Sequence, residues 1–157
     1  GFMMNNQMDD FSTNPESVNK VEPGKKPLSS MSPTVVLNED GSPFMVLGTP
    51  GGARIFASVA QVISRVIDHN IPLHDAISIP KIWNNGGANN LQYENALKGY
   101  EDYAVTDETL AKLVEMGHGD ITTAASGSVQ AIEFLEDGTL YGTADPRQDG
   151  KAVGVNK

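Results

Sequence analysis

The sequence predicts an α+β layered fold. Three observations carry that prediction: two hairpin patterns near residues 34–47 and 128–141, an amphipathic helical pattern between them, and a lack of repeated strand–helix–strand crossovers.

The elements follow in chain order. Residues 5–33 are polar and broken by Pro15, Pro23, Pro27 and Pro33, with Gly24 and several serines, which predicts a long loop. Thr34-Val35-Val36-Leu37 and Phe44-Met45-Val46-Leu47 are apolar runs separated by Asn38-Glu39-Asp40-Gly41-Ser42-Pro43, a hairpin signal. Their continuous apolarity predicts strands covered on both faces. Ile55, Val59, Val62, Ile63, Val66 and Ile67 recur at helical spacing and the pattern stops before Pro72, so an amphipathic helix is expected over residues 52–69. A short second helix over 73–79 must end at Pro80. An Asn/Gly-rich surface loop over 84–90 and a short strand over 91–94 come next. Thr106 is the expected N-cap of a helix through Met116: Val105 and Leu110 occupy the N′ and N4 positions of a hydrophobic staple, and Gly117 stands at C′. Residues 128–135 and 139–141, joined by Glu136-Asp137-Gly138, predict the second hairpin. With 157 residues the chain has the length of one ordinary domain, 1–157, divided into a loop region 1–33 and sheet and helix layers 34–157.

Composition removes several function classes. A net charge of -9 with few, scattered Lys and Arg argues against nucleic-acid binding through phosphate neutralisation. No stretch approaches the unbroken apolar run of a membrane span. The absence of cysteine excludes a disulfide framework, a thiolate nucleophile and a zinc–thiolate site. Gly1-Phe2-Met3-Met4-Asn5-Asn6 has neither a basic start nor a long apolar segment, so no targeting peptide is visible. His69, His74 and His118 read as surface or capping residues and make no metal-ligand spacing; no cofactor or metal is expected.

Three constellations could carry chemistry. Gly48-Thr49-Pro50-Gly51-Gly52 lies between a predicted strand and the predicted long helix, where exposed N–H groups at a helix amino terminus favour an anion or a developing oxyanion. A tight strand-to-helix turn is the alternative reading, and a P-loop is excluded by the missing Gly-Lys-Ser/Thr ending. Leu28-Ser29-Ser30-Met31-Ser32 offers hydroxyls that can donate to a carboxylate or else satisfy nearby backbone. Asn5-Asn6-Gln7-Met8-Asp9-Asp10-Phe11-Ser12 is either a solvated acidic loop or a pocket for an ammonium group. In an extended segment Gln7 and Asp10 fall on opposite faces, so any joint role requires a turn.

These segments occur in one order with one wording. Together with Asp145-Pro146-Arg147, Gly150 and Ala152-Val153-Gly154, they resemble the small subunit of the gamma-glutamyltranspeptidases along the whole chain. The resemblance implies an N-terminal-nucleophile hydrolase, part of a four-layer αββα sandwich. In that family a precursor cuts itself to expose a threonine that attacks a γ-glutamyl amide, its own amine serving as base. It further implies that Gln7 and Asp10 hold the substrate's α-amino group, that Ser29 and Ser30 bind its α-carboxylate, and that Gly51 and Gly52 supply oxyanion-hole N–H donors. The nucleophile is expected upstream of Gly1, and Thr13, Thr34 and Thr49 do not replace it. The implied partners are a γ-glutamyl small molecule, the large subunit and the amino-terminal part of the small subunit, with a periplasmic or extracellular parent. Alone, the chain is expected to lack transferase activity and to expose strand edges that favour self-association. Lys26 stands where the family usually has arginine, and Ile79-Pro80-Lys81-Ile82-Trp83 replaces a more usual Pro-Arg-Ile-His pattern. A related acylase, a poly-γ-glutamate transpeptidase and a catalytically silent binding module are the competing readings.

Overall fold

The computed structural model describes residues 1–84, 86 and 89–155, so the loop expected over 84–90 lies partly outside the described residues. Contacts divide the chain into two compact units, Gly1–Ser30 and Met31–Lys157; the sequence reading had placed its internal boundary after residue 33 of one domain.

In the first unit a 3-10 turn, Gln7–Asp10, is the only helical element among the described residues, and a parallel bridge joins Ser12 to Lys20. Polar side chains organise this unit. Asn19 Nδ2 donates to the Asp10 carbonyl at 2.7 Å, and Asn19 Oδ1 accepts from the Leu28 amide at 3.0 Å. The Asn19 carbonyl takes the Ser12 amide at 2.9 Å. One asparagine thereby ties three stretches of a proline-broken chain in which one 3-10 turn and one bridge satisfy little of the backbone.

Among its described residues the second unit holds seven strands and three α-helices. They are β1 Thr34–Leu37, β2 Pro43–Gly48, α1 Ile55–Ile67, α2 Leu73–Ser78, β3 Ile82–Asn84, β4 Leu91–Tyr93, α3 Asp107–Glu115, β5 Thr122–Thr123, β6 Gln130–Phe134 and β7 Leu140–Ala144. One sheet is antiparallel in the order β1-β2-β6-β7; the other is β3-β4-β5, with β4 and β5 parallel. This is the predicted α+β class. The first hairpin closes as its composition directs: Asn38 N donates to Ser42 O, Asp40 Oδ1 caps the Ser42 amide, and Gly41 takes φ +84°. The long helix begins with a 3-10 turn, Gly52–Arg54, before α1 proper. In α3 the Thr106 hydroxyl accepts from Thr109 N, while Gly117 N donates to Val114 O and His118 N to Leu113 O. That pair of bonds is a Schellman closure with glycine at C′.

The core lies between the four-stranded sheet and the first two helices. Met45 and Leu47 of β2 and Val129 and Ala131 meet Val59 and Val62 of α1 and Leu73, Ala76 and Ile77 of α2. Burial of each larger side chain contributes about 1.5–3 kcal/mol.

Within this chain, α1 and α2 cover one face of β1 and β2. Met45 and Leu47 are 0% and 5% exposed, yet Val35 and Leu37 of β1 are 62% and 57% exposed. Side chains alternate along a strand, so one set meets α1 and α2, and no helix or strand of the described residues covers the other. That open face forms a groove of about 1310 Å³ lined by Val35, Val46, Ile132, Gly142 and Val153. Two strands, β3 and β5, were not predicted. At three and two residues they are too short for a period of two to register.

Candidate active site

In the first unit, Gln7 and Asp10 are brought together by the 3-10 turn, in which positions three apart eclipse one another. The turn that a joint role demands is therefore present. Gln7 Nε2 donates to Asp10 Oδ2 and also to the Leu28 carbonyl at 3.1 Å. With the Leu28 amide on Asn19, both backbone groups of Leu28 are held, and Ser29 and Ser30 are the next residues in the chain. Since Nε2 is committed as a donor, Gln7 Oε1 is the face of the amide that can accept from a cation beside the Asp10 carboxylate.

Gly51 and Gly52 lie in the second unit, at the strand-to-helix turn. Gly51 has φ +146° and Gly52 φ +57°, both in the region that favours glycine. A Cβ on Gly51 would come 3.3 Å from the Ser126 carbonyl, so a second loop presses against this turn. Among the described residues of the unit, no carbonyl or side chain accepts from the Gly51 or Gly52 amide. Just beyond, Arg54 Nε and Nη2 donate to Gln92 Oε1 at 3.1 and 2.9 Å, and its guanidinium lies 5.2 Å from the Trp83 ring centroid. Trp83 Nε1 donates to the Ala53 carbonyl at 3.0 Å, clamping the 3-10 turn to β3. Backbone amides at a helix entry can stabilise negative charge.

Residues 1–155 match the family model of the gamma-glutamyltranspeptidases. The chain belongs to that family. It is 37% identical over 159 residues to the glutathione hydrolase proenzyme of Bacillus subtilis (strain 168), covering 99% of this chain and 25% of the relative. It is 34% identical over 157 residues to the Acylase ACY 1 proenzyme of Pseudomonas sp. (strain SE83), covering 99% and 26%. The chain thus spans about a quarter of the length of these relatives. In three dimensions it is similar to the gamma-glutamyltranspeptidase from Pseudomonas nitroreducens complexed with L-DON, with a TM-score of 0.81, 34% identity and coverage of 99% of this chain and 83% of that one. The mixed helix and antiparallel-sheet arrangement is that of the gamma-glutamyltranspeptidase fold.

The chain also contains a charged network that the sequence does not announce. Lys81 Nζ lies 3.0 Å from Glu94 Oε2 and 3.5 Å from Asp145 Oδ2; Arg147 bridges the same two carboxylates at 3.2 and 3.1 Å. Lys81, Glu94 and Asp145 are essentially inaccessible. Burial pushes the Lys81 ammonium below the ordinary lysine value, with Glu94 and then Asp145 opposing it. Burial likewise pushes the Arg65 guanidinium, which donates to the Ala76, Ile79 and Pro80 carbonyls, down to about 10. The network reaches the glycine turn: Glu94 Oε1 accepts from the Ser126 amide at 2.9 Å, and the Ser126 carbonyl accepts from Ser58 Oγ of α1 at 2.7 Å. Asp145 and Arg147 belong to a motif visible in the sequence, but nothing local announces that Lys81 and Glu94 are their partners.

Proposed function

We propose that this chain supplies the glutamyl-binding and oxyanion-stabilising residues of an enzyme that hydrolyses or transfers γ-glutamyl groups, with glutathione and related amides as substrates. The observation that carries the reading is the Gln7–Asp10 turn, which sets an amide carbonyl beside a carboxylate and suits an α-ammonium group. Ser29 and Ser30 then take the α-carboxylate, and the Gly51 and Gly52 amides take the oxyanion.

The chemistry follows. A threonine hydroxyl on the preceding part of the protein attacks the γ-carbonyl while its α-amine takes the proton. The carbonyl oxygen becomes an alkoxide that accepts from both glycine amides. Collapse expels the amine, which recovers the proton, and leaves a γ-glutamyl ester that water or an acceptor amine cleaves by the reverse sequence. The large subunit and the earlier part of the small subunit are the required partners, and the open face of the β1-β2-β6-β7 sheet suits the second sheet of a sandwich.

The similarity to an acylase favours a second reading in which the same glycine turn serves a substrate without an α-amino group. The full-length precursor, assayed with γ-glutamyl and glutaryl anilides, separates the two. We expect the γ-glutamyl compound to be preferred and Asp10→Ala to remove that preference, raising KM by about tenfold to a hundredfold for a lost charge-assisted hydrogen bond. Equal turnover of both anilides, unchanged by Asp10→Ala, would sink the ammonium assignment.

A further inference from the structure

We propose that Thr49 and Gly127 form a latch that aims the Gly51 amide, making Thr49 a positioning residue for the oxyanion turn; the proposal rests on the glutamyl-transfer reading for its catalytic consequence and on geometry alone for the latch.

In a trans peptide the C=O and the N–H lie in one plane and point in opposite directions, so whatever fixes the Pro50 oxygen also fixes the direction of the Gly51 hydrogen. Thr49 does this. Its Oγ1 donates to the Pro50 carbonyl at 2.7 Å and accepts from the Ser128 amide at 2.8 Å. The hydroxyl is thus oriented by one backbone group and spends its proton on the other.

Gly127 makes the arrangement fit. With φ +114°, its α-carbon faces the turn so closely that a Cβ would stand 2.2 Å from the Pro50 oxygen and 2.5 Å from Thr49 Oγ1. Any side chain there would drive the Pro50 carbonyl away. The next peptide is pinned as well: Gly51 O accepts from Arg54 N at 3.2 Å, which sends the Gly52 hydrogen the opposite way. The loop bearing Gly127 is itself immobilised, since Ser126 is held between Glu94 and Ser58. Peptide planes beside glycine rotate at little steric cost. Without the Thr49 hydroxyl, the plane between Pro50 and Gly51 loses the bond that selects one orientation.

The test uses Thr49→Val in the full-length precursor. Valine keeps the β-branched shape and removes Oγ1, and Thr49→Ser restores it. Two readouts are taken: hydrogen exchange of the peptide covering residues 126–130, and kcat and KM on a γ-glutamyl anilide per processed molecule. We expect T49V to exchange faster at Ser128, whose amide loses its acceptor, and to lose about tenfold to a hundredfold in kcat, with KM changed less than about twofold, as for a weakened oxyanion donor. T49S should return both to the wild-type range. Gly127→Ala should give the same signature, and the double variant should be no worse than the poorer single one, because both act on one carbonyl. If T49V left exchange and kcat unchanged, or lowered only the thermal midpoint, the latch would be refuted. A wild-type precursor inactive on the anilide would overturn the glutamyl reading, while the exchange result would still decide the latch.

Discussion

Lys81 Nζ lies 3.0 Å from Glu94 Oε2 inside the second unit, and the two residues are 1% and 3% exposed. Two cations and two carboxylates share that space, and the remaining carboxylate valences are met by backbone amides: Lys81 N and Ser126 N on Glu94, Arg147 N on Asp145. Ions so deeply buried are tolerated only when paired and hydrogen-bonded throughout.

Removing one member should therefore cost more than the pair contributes. Glu94→Ala leaves Lys81 and Arg147 with Asp145 alone and frees the Ser126 amide. The expected loss is about 3–5 kcal/mol, read as a lower denaturant midpoint for the full-length protein. Glu94→Gln keeps an acceptor for Ser126 and should lose less. Equal midpoints for wild type and E94A would show that the network does not stabilise the fold.

Asn19 makes the equivalent contribution in the first unit, through Asp10 O and Leu28 N. Asn19→Ala removes both bonds while leaving Gln7, Asp10, Ser29 and Ser30 intact. In the precursor we expect KM for a γ-glutamyl substrate to rise about tenfold, the equivalent of roughly one to two hydrogen bonds, with kcat within twofold. A fall in kcat at constant KM would contradict a role in glutamyl binding.

Glu22 offers a check on electrostatics. Hydrogen bonds from Lys25, then Lys20, hold its carboxyl below the ordinary glutamate value. A depressed folded-state value means that the charged form is favoured by folding. This contribution is present above the unfolded value and disappears as pH falls through the folded one. A carbon-13 NMR titration should place the Glu22 midpoint below that of an ordinary exposed glutamate, and Lys25→Gln should raise it; a midpoint indifferent to Lys25 would refute the pairing.

Much of this architecture was legible before any coordinates. The turn residues from Asn38 to Ser42, the helical repeat from Ile55 to Ile67, and Thr106 and Gly117 at the two ends of α3 act over a few residues, through backbone angles and i to i+4 neighbours. The types of the candidate site residues announce what they can donate or accept. The sequence alone also determined that Gln7 and Asp10 could cooperate only across a turn. Tertiary structure decided the rest. Lys81, Glu94, Asp145 and Arg147 look like solvated charges in one dimension; only the folded chain brings residues up to 66 positions apart into one dry cluster. Gly127 reads as a loop glycine until Pro50 is seen against its α-carbon. The sheet face is decided in the same way: an apolar run shows that a strand can be covered, whereas which face α1 and α2 cover depends on elements distant in sequence.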